Sequence, residues 1–171
     1  MKFNYVEGKK GDKAEKEEKT EKIEKNTKKG AASEKQAKEE KVYIIPLGGM
    51  EEVGKNMTAF QYKDEIVIVD AGLTFPEDEH LGIDVIIPDF TYLENNKDKI
   101  KSLLLTHGHE DHIGAIPYLF QKLGSTDITI YGGKLTLELA KAKFEKKDAV
   151  IPKMKVVKGR TKLKLSKYFS V

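Results

Sequence analysis

The residues best suited to chemistry lie in one short stretch, residues 106–112. It holds three of the four histidines of the chain together with a carboxylate, in the order His107, His109, Asp111 and His112. Imidazole nitrogens and carboxylate oxygens are ligands for zinc and manganese. The alternative is an ordinary polar loop that happens to be rich in histidine, but this order directly after an apolar run favours a metal site.

The spacing within this stretch suits two metal ions. Gly108 allows a tight turn, so the rings of His107 and His109 can face one point. Asp111 and His112 follow at once and can face a second point nearby. A pair of metal ions about 3.5–4 Å apart supplies a hydroxide nucleophile and stabilises charge on a phosphoryl or carbonyl centre. The pattern therefore predicts metal-assisted hydrolysis.

Hydrophobic periodicity and turn residues predict the elements that position this stretch. The apolar run 102–105 predicts a buried strand that ends just before the histidines. A hairpin is predicted at 56–70, a loop at 72–89, and helices at 92–99, 113–123 and 134–146. Further strands are predicted at 42–45, ended by Pro46, and at 127–131, 153–157, 161–165 and 168–171. Antiparallel strands followed by strand–helix alternation predict a mixed sheet covered by helices.

Composition divides the chain into two segments. Residues 1–41 carry 13 lysines against 10 aspartates and glutamates, and the remainder is neutral. With few large apolar side chains, residues 1–41 cannot bury enough surface to offset their ordering entropy, so we expect a disordered tail there and a folded domain at 42–171. We favour a solvating extension over the alternatives, a weak nucleic-acid tether or a partner-binding arm.

Several classes of protein are excluded by absent features. The chain has no cysteine, so it has neither a disulfide framework nor a thiolate metal site. It shows no recognisable signal peptide and no apolar stretch as long as a membrane span. We expect a cytoplasmic protein that does not contact membranes.

The motif and its surroundings resemble a known superfamily. The strand, the histidine stretch and the following helix resemble HxHxDH, the second signature of the metallo-β-lactamase superfamily. Asp70, at the end of the predicted strand, matches the first signature, a lone aspartate on a neighbouring strand. The stretches 47–57, 70–78, 82–84, 87–89 and 112–119 are also similar to the ribonuclease J family, in the β-CASP branch. The resemblance covers about 42–171. It implies an α/β fold, the amino-terminal half of the αββα sandwich of the metallo-β-lactamase fold.

The resemblance implies a ligand set. In the family, the histidines matching His107 and His109 bind one metal ion. The residues matching Asp111 and His112 bind the other and so also serve catalysis. Two zinc ions are the implied cofactors, with manganese as the alternative. Asp70 would accept a hydrogen bond from a ligand histidine and fix its tautomer, although it could instead cap a turn.

Two further sites carry less specific expectations. The resemblance implies a separate structural cation, calcium, held by the backbone carbonyls of Leu81 and Ile83. Gly48, Gly49 and Gly54 suit a close backbone approach near the site, and an ordinary role as turn residues would explain them equally well.

The family pattern is incomplete in this chain. No histidine follows His112, and the later ligands and the inserted β-CASP domain have no counterpart, so we expect an inactive fragment of a longer protein. The implied activity of that protein is 5′-to-3′ exonuclease and endonuclease action in RNA maturation, including rRNA processing, and in RNA decay. RNA would be its partner, and the full-length protein would form homo-oligomers. The alternatives are a non-catalytic remnant or assembly module, and a small-molecule hydrolase of the same superfamily.

Overall fold

The structure is a computed structural model, and it describes residues 40–77, 80–124 and 127–171. The predicted tail, apart from residues 40 and 41, lies outside the described residues. The elements in chain order are β1 (Val42–Gly48), β2 (Met57–Tyr62), β3 (Glu65–Val69), α1 (Thr91–Glu94), a 3₁₀ helix (Lys97–Lys99), β4 (Ile100–Leu104), α2 (Glu110–Ile113), α3 (Ile116–Leu123), β5 (Thr129–Gly132), α4 (Lys134–Lys146) and β6 (Met154–Val156).

The strands form one mixed sheet, as predicted. It has six strands in the order β1-β2-β3-β4-β5-β6. The first three pair antiparallel, and β3 to β6 pair parallel. Because parallel strands end at the same edge of a sheet, the chain segments that follow β3, β4 and β5 are brought together there.

The hydrophobic core lies between the sheet and its helices. Alternate side chains of the central strands point to this side, and Ile68, Leu103 and Ile130 are fully buried. From α3 and α4, Leu119 and Phe144 are also fully buried in the same cluster. Full burial of such a side chain stabilises a fold by about 1.5–3 kcal/mol. The packed sheet is therefore a rigid base for the residues at its edge.

Three strand predictions are wrong. β1 does not end at Pro46 but continues to Gly48, with a register shift between these two residues. Proline is tolerated there because β1 is an edge strand. The strands predicted at 161–165 and 168–171 are absent from the described structure, which has only an isolated antiparallel bridge between Lys164 and Ser170.

The helix predicted at 113–123 is also different. The chain forms two helices, α2 and α3, separated at Gly114 and Ala115. α2 already begins at Glu110, so Asp111 and His112 lie on a helix instead of in a loop. The helix predicted at 92–99 is likewise divided into α1 and the 3₁₀ turn. By contrast, α4 has the predicted bounds.

Glu40, within the segment that composition assigns to the tail, contacts the domain. Its carboxylate accepts hydrogen bonds from the Tyr62 hydroxyl at 2.5 Å and from Lys63 Nζ at 2.6 Å. The Lys63 ammonium is the main reason that the pKa of Glu40 is lowered.

Among the described residues, no helix is long and apolar enough to cross a membrane.

Candidate metal centre

Backbone hydrogen bonds join three chain segments at the edge of the sheet. The Asn56 amide, just before β2, donates to the Asp111 carbonyl at 3.0 Å. After β3, the Ala71 amide donates to the His112 carbonyl at 2.8 Å, and the Gly72 amide donates to the Asn56 carbonyl at 3.0 Å. The short helix α2 is therefore fixed by two other segments instead of by its own length.

Gly72 makes this close approach feasible. A Cβ atom at this position would overlap the Asp111 carbonyl group and lie 2.8 Å from the His112 amide nitrogen. A similar restriction applies at Gly49, where a Cβ would lie 2.7 Å from Asn56 Oδ1, and where φ is +82°. The glycines near the site thus allow close contact, and Gly49 serves a turn as well.

The three histidines of the stretch lie side by side. The ring centroid of His107 is 4.6 Å from that of His109 and 3.9 Å from that of His112. His107 and His112 are half-buried, whereas His109 is exposed. The chain therefore brings together the histidines that the sequence analysis selected.

Asp70 holds Thr106 and His112 in position by hydrogen bonds. It is buried, with 5% of its surface exposed, and it has a positive φ of 59°. Its carboxylate accepts hydrogen bonds from the Thr106 amide at 2.8 Å, from the Thr106 hydroxyl at 2.7 Å and from His112 Nδ1 at 2.8 Å. Because a carboxylate is an acceptor, the proton of His112 is held on Nδ1, and Nε2 keeps its lone pair.

Thr106 extends the same arrangement to His107. The Thr106 hydroxyl has one hydrogen, which it donates to Asp70. His107 Nδ1 lies 3.0 Å from this hydroxyl oxygen, so the imidazole must be the donor in that contact. Asp70 and Thr106 thereby hold both histidines in the tautomer that leaves Nε2 free to bind a cation.

Asp111 and His112 form a second contact pair. Oδ2 of Asp111 lies 3.4 Å from Nε2 of His112. A tetrahedral metal ion with bonds of about 2.0–2.2 Å has ligand atoms about 3.3–3.6 Å apart. The pair therefore has the spacing and the chemistry to share one ion.

The described residues offer such ligands in pairs. No group of three or more histidine, cysteine, aspartate or glutamate side chains in residues 40–77, 80–124 and 127–171 is arranged to hold a metal ion. A structural or catalytic zinc site has three or four protein ligands. The donor set thus fits part of a metal centre, and a complete one needs ligands beyond these.

Leu81 and Ile83 lie away from regular structure. Both are in the connection between β3 and α1, with 91% and 50% of their surfaces exposed. Gly82 between them has a φ of +80°, and a Cβ there would meet nothing within 4 Å. Cation binding by their carbonyls stays a prediction.

Sequence reasoning missed three residues of the centre, namely Asn56, Gly72 and Thr106. Thr106 directly precedes the first histidine, and its position at the end of an apolar run was the available signal. Asn56 and Gly72 reach the centre through the fold, and local sequence carries no sign of those contacts.

The chain matches the family model of a known superfamily. Residues 50–159 match the family model of the metallo-β-lactamase superfamily. The chain belongs to this superfamily, and its mixed α/β structure is the metallo-β-lactamase fold.

Within this superfamily, the chain is similar to several proteins that are named ribonuclease J. The chain is 50% identical over 108 residues to Ribonuclease J 1 of Streptococcus pyogenes. The aligned region covers 63% of the chain and 19% of that protein. It is 49% identical over 111 residues to Ribonuclease J 2 of Staphylococcus aureus, covering 65% of the chain and 19% of the relative. Ribonuclease J of Synechocystis is 45% identical over 130 residues, 75% of the chain and 20% of the relative. The chain thus spans about a fifth of the length of these relatives.

Proposed function

We propose that the chain is the amino-terminal part of a metal-dependent ribonuclease that hydrolyses RNA phosphodiesters with two metal ions, zinc or manganese. The observation that carries the proposal is the hydrogen-bonded arrangement of Asp70, Thr106, His107 and His112 beside Asp111. The names of the relatives support RNA as the substrate.

Each residue has a distinct part in this proposal. Asp70 and Thr106 hold the histidine tautomers, and His107 with His109 supplies two nitrogen ligands for one ion. Asp111 and His112 supply an oxygen and a nitrogen for the other. The bound ions would supply a hydroxide nucleophile and stabilise the charge that develops at phosphorus.

The decisive test is an Asp111→Ala substitution in a full-length protein that contains this chain. It removes a ligand of the second ion, so cleavage of a 5′-monophosphorylated RNA with manganese is expected to fall to background. Circular dichroism and thermal unfolding should show an intact fold. Asp98→Ala is the matched control, because Asp98 is an exposed carboxylate on the 3₁₀ helix. Cleavage retained by Asp111→Ala at saturating zinc or manganese would make Asp111 structural and contradict the proposal.

The 171-residue chain alone should not cleave RNA at a useful rate. Ligand pairs would leave each ion under-coordinated, and the match covers only 19% of the length of Ribonuclease J 1 and Ribonuclease J 2, so groups that orient the scissile phosphate would be missing. Orientation alone is worth about 7–11 kcal/mol of an enzymatic barrier. Cleavage by the purified chain that Asp111→Ala eliminates would show that the ligands present suffice.

A further inference from the structure

The side-chain amide of Asn56 lies between the two groups proposed to share an ion. Its Nδ2 atom is 3.1 Å from Asp111 Oδ2 and 3.3 Å from His112 Nε2. These two acceptor atoms are 3.4 Å apart. The three atoms thus form a nearly equilateral triangle, and one amide group contacts both members of the pair.

The chemistry of these atoms determines the direction of both hydrogen bonds. Asp70 holds the proton of His112 on Nδ1, so Nε2 can only accept. The Asp111 carboxylate is also an acceptor. Asn56 Nδ2 carries two hydrogens and can donate one to each. A carbonyl oxygen in its place would face two acceptors, so the amide orientation is the one that the network requires.

The two acceptors differ in what they can do next. A carboxylate has several lone pairs, so Asp111 can accept from Asn56 and bind a cation together. An imidazole nitrogen has a single lone pair. A hydrogen bond to His112 Nε2 and a metal bond to the same atom therefore exclude one another.

The backbone keeps the Asn56 side chain at this position. Its amide donates to the Asp111 carbonyl, and its carbonyl accepts from Gly72, both at 3.0 Å. Gly49 makes room for the side-chain oxygen, because a Cβ at Gly49 would lie 2.7 Å from Asn56 Oδ1. Removal of the Asn56 side chain would leave the backbone contacts in place.

We propose that Asn56 is a positioning residue that orients Asp111 and competes with the metal ion for His112 Nε2. This inference about Asn56 rests on the proposed function, since that function makes the Asp111–His112 pair a metal site. Loss of the amide costs two hydrogen bonds in the metal-depleted protein and one in the loaded protein. By thermodynamic linkage, a variant without the amide binds the ion more tightly.

The test is zinc titration of the full 171-residue chain by calorimetry, with Asn56→Ala and Asn56→Leu compared with the wild type. One hydrogen bond corresponds to about a 2- to 10-fold gain in affinity at this pair. Asn56→Leu keeps the approximate shape of the side chain, and its zinc affinity tests the inference if the alanine variant does not fold. Asn96→Ala is the matched control, because the Asn96 amide donates to the Tyr92 carbonyl away from the centre. Its zinc affinity should equal that of the wild type.

A double-mutant cycle with His112→Ala locates the effect, and the gain should vanish in that background. Urea unfolding gives a second readout. Asn56→Ala should be destabilised more in the presence of a chelator than with zinc, whereas Asn96→Ala should be destabilised equally in both. Unchanged or weaker zinc binding by both Asn56 variants would overturn the inference while leaving the proposed metal site standing. If neither the wild-type chain nor any variant binds zinc, the ligand pairs of this chain do not hold an ion by themselves, and the inference fails, whereas the proposed function is still tested by Asp111→Ala in the full-length protein.

Discussion

Gly72→Ala is the sharpest test of how the centre is built. The substitution adds one methyl group, and the backbone of Gly72 does not require a positive φ, so alanine has no intrinsic conformational penalty there. Its whole effect comes from the contact with the segment that carries Asp111 and His112.

The contact is severe. The methyl group would overlap the Asp111 carbonyl and lie 2.8 Å from the His112 amide nitrogen, whereas carbon atoms pack at about 3.5–4.0 Å. α2 and the segment after β3 must therefore separate by roughly 1–2 Å. Overpacking of this kind costs about 1–3 kcal/mol. The hydrogen bonds from the Ala71 amide to the His112 carbonyl and from the Leu73 amide to the Glu110 carbonyl are lost as well, at about 0.5–1.5 kcal/mol each. The expected destabilisation is about 2–6 kcal/mol.

Urea denaturation followed by far-ultraviolet circular dichroism measures this loss. Gly159→Ala is the matched control, because a Cβ at Gly159 would meet nothing within 4 Å. The control should change the free energy of unfolding by less than about 0.5 kcal/mol. A Gly72→Ala variant within about 1 kcal/mol of the wild type would refute the reasoning. The three segments would then not be in the contact described, or they would separate without cost.

Three further predictions concern single side chains. Asp70→Asn should weaken zinc binding about 10- to 100-fold in calorimetric titration. The Thr106 amide needs the one remaining side-chain oxygen, so an NH2 group faces His112 Nδ1 and no longer holds a proton there. Unchanged affinity would contradict the role of Asp70. Burial raises the pKa of Glu65, but hydrogen bonds from Ser166, Tyr168 and Lys167 outweigh it, so the folded pKa is lowered from 4.5. Its stabilisation is therefore present above pH 4.5 and lost as the pH falls through the folded pKa. Glu65→Gln should cost about 1–3 kcal/mol at pH 7, and a difference that does not shrink in acid would exclude this account. Ser102 is fully buried and its hydroxyl has no hydrogen-bond partner among the described residues, so Ser102→Ala should raise the free energy of unfolding by about 1 kcal/mol; a loss would reveal an unseen partner.

The local sequence pattern correctly predicted the elements that form mainly through interactions between residues near each other in the chain. In α4, Leu137, Ala140 and Phe144 recur at helical spacing, and all three are buried. The prediction at 134–146 is accordingly confirmed. The β2–β3 hairpin is confirmed for the same reason, since apolar runs flank a tight turn in which Lys63 has a φ of 54°.

The errors occur where a distant segment decides the outcome. The helix predicted at 113–123 is interrupted after Gly114, where the Ala115 amide donates to the Ala71 carbonyl at 2.9 Å instead of to an earlier residue of its own helix. Ala71 belongs to a segment some forty residues earlier, and no local pattern shows that it contacts Ala115. β1 likewise continues through Pro46 because it lies at the edge of the sheet, a position that depends on the whole topology.

The centre shows the same division between local and distant information. His107, His109, Asp111 and His112 could be selected from residue type and spacing, because ligand chemistry is local. Asp70, which holds the tautomer of His112 from the end of β3, could be selected only through the resemblance to the family. Asn56, which contacts Asp111 from just before β2, could not be selected at all. Selecting ligands from sequence is therefore easier than predicting what orients them.

The shortness of α2 links the stability of the fold to the geometry of the ligands. A helix of four residues has no stability of its own in water, so the positions of Asp111 and His112 depend on hydrogen bonds to other segments, among them the backbone bonds from Asn56 and Ala71. Those donors lie beside the ends of β2 and β3, the strands that bury Met57 and Ile68 in the core. Loosening the core at these strands should misplace the ligands before the sheet unfolds. An ion bound by the pair should in turn stabilise the sheet, because binding to the folded chain alone shifts the folding equilibrium toward it.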